Sequence, residues 1–141
     1  MDDEVSITAE VLELPEQGSP DGLWRWRELP HMSVQRFRPA GCVLSIGRFA
    51  VFGGRDENDV PVSSCEVLTL DGNERWEPLP PMREARSGFT CAAVGGCVIV
   101  AGGSDSTAAV EVYEEALGRW RRLPCNLPHE GGLYGAGSAL M

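Results

Sequence analysis

The sequence predicts an all-β chain built from tandem four-stranded antiparallel sheets, each a meander whose strands follow one another in order. Three observations carry that expectation. First, the chain repeats itself: "WRELPHMSVQR" at 26–36 matches "WEPLPPMREAR" at 76–86, so that Trp26/Trp76, Leu29/Leu79, Pro30/Pro80, Met32/Met82 and Arg36/Arg86 each lie 50 residues apart. Second, its apolar segments are too short for ordinary helices, are rich in Val, Ile, Phe, Leu and Cys, and are separated by turns at Gly47, Asp71-Gly72, Gly95-Gly96 and Gly118. Third, 17 glycines in 141 residues that are 43% hydrophobic suit a turn-rich β chain with a small core.

Taken in order, and lettered a to d from the inside of each sheet outward, residues 4–29 supply two strands, c and d. The c strand carries Glu10-Val11-Leu12, the d strand carries Trp26, and a Gly-, Pro- and Asp-rich insertion lies between them. Residues 37–79 supply a full set: an a strand ending at Gly47, "FAVFGG" closing on Gly53-Gly54, Glu66-Val67-Leu68, and a d strand at Trp76. Residues 87–123 repeat it with Gly95-Gly96, "VIVAGG" closing on Gly102-Gly103, Glu111-Val112-Tyr113 and Trp120. A lone a strand is expected within 132–140. Helix competes for "TAAVEVYEEALGRW", where Ala, Glu and Leu favour helix and Val110, Val112 and Tyr113 favour strand. The aligned "SSCEVLTLDGNERW" has Asp-Gly where a helix would have to continue, which decides for strand in both copies.

These residue types have physical roles. Paired glycines permit positive φ and close backbone approach, which a Cβ would obstruct. Each tryptophan offers a large ring to fill the wedge between neighbouring sheets, with an N–H in need of one partner. Glu66 or Glu111 with Arg36 or Arg86 could form charge-assisted bonds between sheets, or could lie on a solvated strand face.

The order apolar strand, Gly-Gly, Glu-Val-[Leu/Tyr], Trp, Leu-Pro, Met, Arg resembles the kelch repeat, one blade of a β-propeller, over residues 10 to about 138. The resemblance implies a partial β-propeller of four-stranded antiparallel kelch blades: a partial blade in 1–30, full blades in 31–80 and 81–124, and the start of another in 125–141. That is under three blades, an incomplete ring, whereas closed propellers use four to eight. Three readings stay open: a piece of a longer protein, a ring closed by self-association through exposed strand edges, or an open stack of sheets.

Composition narrows the function classes. Net charge is −9 and all 12 basic residues are arginine, an average field that repels phosphate backbones, so nucleic acid is not an expected partner. The acidic N-terminus lacks the pattern of a secretory signal, and the longest nearly apolar run, Cys91 to Gly103, is glycine-broken and short of a membrane span. Five cysteines with no CxxC pair suit reduced thiols. Together these predict a cytoplasmic protein, with the nucleus an open alternative, no membrane contact and no cofactor.

No catalytic or metal constellation emerges. His31 and His129 both fall in connecting loops, and a two-histidine metal site would need them convergent. The run Asp56-Glu57-Asn58-Asp59 has Pro61 and Val67 where a calcium loop needs glycine and glutamate, so it reads as a solvated loop. "GGLYGAG" at 131–137 aligns with an a strand. Cys42 and Cys91, at equivalent positions 11 residues before their double glycines, read as small buried packing residues, and Cys125 as a loop thiol to test for exposure.

In propellers like this the b–c and d–a loops emerge on one side, which groups residues 55–64, 104–107, 31–38, 81–86 and 125–131 into a recognition rim. The candidates for partner contact there are Arg36, Arg38, Arg55, Asp56, Arg83, Ser104, Asp105 and His129. Arg38 matches a position where kelch proteins that capture acidic peptides often carry arginine; Gly88 replaces it in the second full blade, so no continuous arginine pocket is implied. The resemblance implies a non-enzymatic protein-interaction module. The alternatives are a non-functional or incomplete fragment of a longer kelch protein such as a ubiquitin-ligase adaptor, and a kelch-propeller enzyme such as a copper oxidase or sugar-modifying enzyme.

Overall fold

The computed structural model describes residues 7–18, 20–103 and 108–128. Strands β1 (Ala9–Glu13) and β2 (Arg25–Leu29) form a two-stranded antiparallel sheet. Strands β3 (Ala40–Ser45), β4 (Arg48–Phe52), β5 (Cys65–Thr69) and β6 (Arg75–Leu79) form a four-stranded sheet in sequential order. A second such sheet holds β7 (Thr90–Val94), β8 (Cys97–Ala101), β9 (Ala109–Glu114) and β10 (Arg119–Asn126). All pairings are antiparallel, so the described residues make two full blades and the outer two strands of a third.

Local sequence explains the hairpins. Val94 pairs with Cys97, which leaves a two-residue turn at Gly95-Gly96 with φ of 56° and 78°. Two successive positive φ values make the turn whose twist matches the flanking strands, and glycine adopts them without a steric penalty. The segment where helix competed with strand resolves as β9 followed by a single 3-10 turn, Glu115–Leu117, closed by Gly118 in the left-handed conformation.

The core lies between the two blades. Residues alternate sides along a strand, and one side of the first blade brings Ala40, Cys42 and Leu44, Ala50 and Phe52, and Cys65 into a cluster with Phe89, Cys91, Ala93, Val98, Val100, Tyr113 and Trp120 of the second. The innermost strands β3 and β7 lie against each other although they belong to different sheets. Trp120 fills the wedge from the outer strand, meeting Phe52 edge-on at 5.7 Å and Tyr113 at 5.2 Å between ring centroids. The opposite side of the first blade, toward β1 and β2, carries exposed Val43 and Phe49.

One boundary shifts. β10 continues to Asn126, two residues past the expected end of the repeat at 124, with an irregularity between Arg122 and Asn126 and renewed pairing of Asn126 with Ala109. Leu127 N–H extends that pairing to the Ala108 carbonyl, so Cys125 sits in a strand and not in a loop. The expected strand in 132–140 and the first residues of the expected 4–29 segment lie outside the described residues. Among the described residues no helix is long and apolar enough to cross a membrane.

Candidate functional site

At one end of the blade pair, three connecting segments knit into a rim. Phe37 and Arg55 exchange backbone hydrogen bonds of 2.9 and 2.8 Å, joining the segment that precedes β3 to the loop that follows β4. Met82 N–H donates to the Ser63 carbonyl at 2.9 Å, Arg86 N–H to Val62 at 3.3 Å, and Gly88 N–H to Arg38 at 2.9 Å, which brings in the connector between β6 and β7. These bonds set residues 31–38, 55–64 and 81–86 side by side.

The double glycine makes that approach possible. Gly54 N–H donates to the Arg86 carbonyl at 2.8 Å. At Gly53, φ is 58°, and an added Cβ would stand 2.5 Å from the Arg86 carbonyl oxygen and 2.9 Å from Met82 Cε. Only glycine fits where the backbone of one blade meets the connector to the next.

Beneath the rim lie two buried ion pairs built to one pattern. Arg36 donates from Nε and Nη2 to Glu66 Oε2 at 3.3 and 3.2 Å, and from Nη1 to the carbonyls of Gly53 and Ser64 at 2.8 and 2.7 Å. Arg86 donates to Glu111 Oε2 at 3.2 and 3.1 Å, and to the carbonyls of Gly102 and Ala109 at 3.0 and 2.7 Å. The other oxygen of each glutamate accepts a connector N–H, Ser33 at 2.9 Å and Arg83 at 2.7 Å. Both arginine side chains have zero exposure and the glutamates 4% or less.

This geometry corrects two expectations. The pairs do not run between blades: each ties the connector preceding a blade to that blade's own third strand, β5 or β9. Arg36 is not a rim contact either, since its guanidinium is enclosed and each of its nitrogens is bonded; it acts as a strut beneath Arg38. Among the described residues, no buried side-chain nitrogen or oxygen lacks a partner.

Bonds between sheets come from other groups. Trp76 Nε1–H donates to the Pro30 carbonyl at 2.6 Å, and Trp120 Nε1–H to the Pro80 carbonyl at 2.8 Å, so these two tryptophans grip the Leu-Pro end of the preceding d strand. Trp26 is 68% exposed. At the far end from the rim, Arg27 of β2 reaches Glu74 at 2.7 Å, and Arg48 of β4 pairs with Glu115 of the second blade. Arg27 holds the Glu74 carboxyl below the usual carboxylate range, and Glu74 with Glu13 raises the Arg27 pKa further. The sequence reading missed both pairs, because Arg48 and Glu115 are 67 residues apart with no shared motif.

On the rim itself, Arg38 is exposed, held at φ 52°, with its guanidinium carbon 5.1 Å from the centroid of the exposed Phe37 ring. Arg83 is exposed too. Arg55 is partly committed, donating from Nε to Ser87 Oγ at 3.1 Å and from Nη1 to the Asp59 carbonyl at 2.7 Å. Asp56 Oδ1 folds back to accept the N–H groups of Asn58 and Val60 at 2.9 and 3.0 Å, which closes its own loop. Ser104, Asp105 and His129 lie outside the described residues. His31 is exposed and faces Glu28 at 3.4 Å. Among the described residues, no three or more His, Cys, Asp or Glu side chains converge as a metal-ligand group.

The comparisons with known proteins agree with this architecture. The family model for the kelch motif matches residues 85–126. An F-box/kelch-repeat protein of Arabidopsis thaliana is 30% identical over 117 residues, covering 71% of this chain and 30% of that protein. Kelch-like protein 33 of Homo sapiens is 31% identical over 104 residues, covering 70% of this chain and 20% of that protein. The chain thus spans about a third or less of these relatives. Among solved structures, that of YjhT superposes with a TM-score of 0.67 at 18% identity, covering 80% of this chain and 34% of YjhT. A fungal alcohol oxidase of the AA5 family in complex with copper superposes with a TM-score of 0.65 at 15% identity, covering 90% of this chain and 28% of the oxidase. At those identities the likeness is one of fold. With Gly-Gly, Glu, Trp, Leu-Pro and Arg each in a defined structural role in two successive blades, the chain belongs to the kelch-repeat family.

Proposed function

We propose that this chain is a non-enzymatic protein-interaction module that binds its partner through the rim made by the segments 31–38, 55–64 and 81–86. The observation that carries the reading is the exposed Phe37–Arg38 pair standing on a strut, Arg36–Glu66, that is itself fully buried. Aromatic and arginine side chains are enriched at the centres of protein interfaces and among the residues that dominate their binding energy, and a rigid base lowers the ordering cost of presenting them. Kelch relatives with F-box or kelch-like names support the same reading at the level of the family.

The test is binding to a partner captured with the chain and then purified, comparing the wild type with Arg38→Glu/Arg83→Glu and with a control, Leu117→Lys, at the opposite end. The rim variant is expected to weaken the Kd by about tenfold or more, ~1.4 kcal/mol, and the control to leave it unchanged. The reverse pattern overturns the proposal.

A second reading, that this blade pair works as part of a longer kelch protein such as a ubiquitin-ligase adaptor, is favoured by the 30% and 20% shares of its relatives that it spans. It keeps the same rim and adds a neighbour to each open blade face. The copper-oxidase alternative has the likeness of fold behind it; copper binding, or turnover of an alcohol or sugar, would favour it over an interaction module.

A further inference from the structure

Cys42 and Cys91 stand at corresponding places in the two innermost strands, β3 and β7, which pack against each other across the blade interface. Their side chains alternate in phase with Ala40 and Leu44 on one strand and with Phe89 and Ala93 on the other, so both point into the seam. The two side chains are hydrogen-bonded to each other, and no disulfide joins the chain's five cysteines. Both residues are half-buried. Cys97 is half-buried as well but lies in β8, paired with Val94 and Glu114, while Cys65 and Cys125 differ in kind. Cys65 is 2% exposed, its thiol directed to the Ser63 carbonyl at 3.4 Å. Cys125 is exposed on the outer strand β10, remote in sheet order from β7.

We propose that Cys42 and Cys91 form a peroxide-responsive thiol pair whose oxidation to a disulfide staples the two blades together at their innermost strands. Cys91 attacks first where the hydrogen bond with Cys42 favours its thiolate, and Cys42 attacks by the same steps when the shared proton sits on Cys91. The Cys91 thiolate attacks one oxygen of hydrogen peroxide; an S–O bond forms, the O–O bond breaks, and hydroxide leaves to take up the proton that Cys91 had released. Cys42 sulfur then attacks the sulfur of the Cys91 sulfenic acid; the S–S bond forms, the S–O bond breaks, and the Cys42 proton departs with the hydroxyl as water. Two thiols and one peroxide become one disulfide and two waters. The bond cross-links positions that lie in separate blades, so it restrains the unfolded chain and fixes the angle between the blades.

The experiment treats the full chain with hydrogen peroxide, then blocks, digests and maps it by mass without reductant. The expected product is a peptide pair joined through Cys42 and Cys91, lighter by two hydrogens, with a raised Tm that dithiothreitol returns to its starting value. In Cys42→Ala and in Cys91→Ala, a sulfenic-acid trap is expected to label the remaining cysteine of the pair, and neither variant is expected to gain the disulfide or the rise in Tm. Oxidation confined to Cys125, or a Cys42–Cys91 pair still reduced after Cys125 is consumed, overturns the proposal. The wild-type map alone decides this if either variant fails to fold.

Discussion

The Arg86 guanidinium meets one oxygen of Glu111 twice, from Nε at 3.2 Å and Nη2 at 3.1 Å, with both side chains sealed from solvent. Two backbone carbonyls and the Arg83 N–H complete the hydrogen bonding, and the more exposed Glu84 carboxylate stands 4.0 Å from Arg86 Nη2. Removing one partner leaves a buried charge uncompensated, which costs about 3–5 kcal/mol. Arg86→Met and Glu111→Leu are each expected to destabilise by that order in urea unfolding, while the double variant loses less than the sum of the two. A strictly additive double variant would mean that the two residues do not act as a pair.

Trp120 and Trp76 hold the same place in successive blades and make the same indole bond, but only Trp120 has a complete blade in front of it. Its ring sits against Phe52 and Tyr113 at 8% exposure. Trp120→Ala is expected to cost about 3–5 kcal/mol, and Trp76→Ala distinctly less, as read from paired denaturant curves. Equal losses would show that the blade interface is not where the stabilising contacts lie.

Gly53 and Gly118 share φ near 60° and differ in their surroundings: a Cβ on Gly53 strikes backbone, and one on Gly118 meets nothing within 4 Å. Gly118→Ala therefore carries only the left-handed penalty of about 1–2 kcal/mol. Gly53→Ala adds a displacement of the Arg86 carbonyl, and is expected to lower Tm well below the Gly118→Ala value. Similar Tm values for the two would place the rim connector away from the double glycine.

Burial pushes the Cys65 thiol up to about 11 from 9.0. In the unfolded chain this thiol ionises first, so its contribution to stability is complete below pH 9 and is lost as pH rises through the folded value, a change of order 2 kcal/mol. Cys65→Ala is expected to lose stability less steeply between pH 9 and 11 than the wild type. In the same vein, alkylation at neutral pH is expected to reach exposed Cys125 first and Cys65 last. Early loss of Cys65 would contradict its burial.

The strands, their order and the hairpin turns were legible because each rests on local pattern: alternation, Gly-containing turns, and markers that return at a fixed spacing. Arg36, Glu66, Arg86 and Glu111 were legible as a recurring set, yet repetition alone could not say whether they faced solvent, nor which segment they tied together. That depends on the fold of each connector under its own blade. The pairs Arg27–Glu74 and Arg48–Glu115 were out of reach because they join residues distant in sequence with no counterpart in the repeat. The end of β10 was misplaced for a physical reason too: an irregularity after Arg122 lets the chain pass Leu-Pro and resume pairing at Asn126, where periodicity had ended the strand.

Which end of the blade pair meets a partner decides the proposed function. Hydrogen–deuterium exchange of the chain with and without its purified partner reads that in one measurement. Protection concentrated in 31–38, 55–64 and 81–86 is the expected result. Protection at the opposite turns, 46–47, 71–74, 95–96 and 115–118, with the rim unchanged, would contradict it.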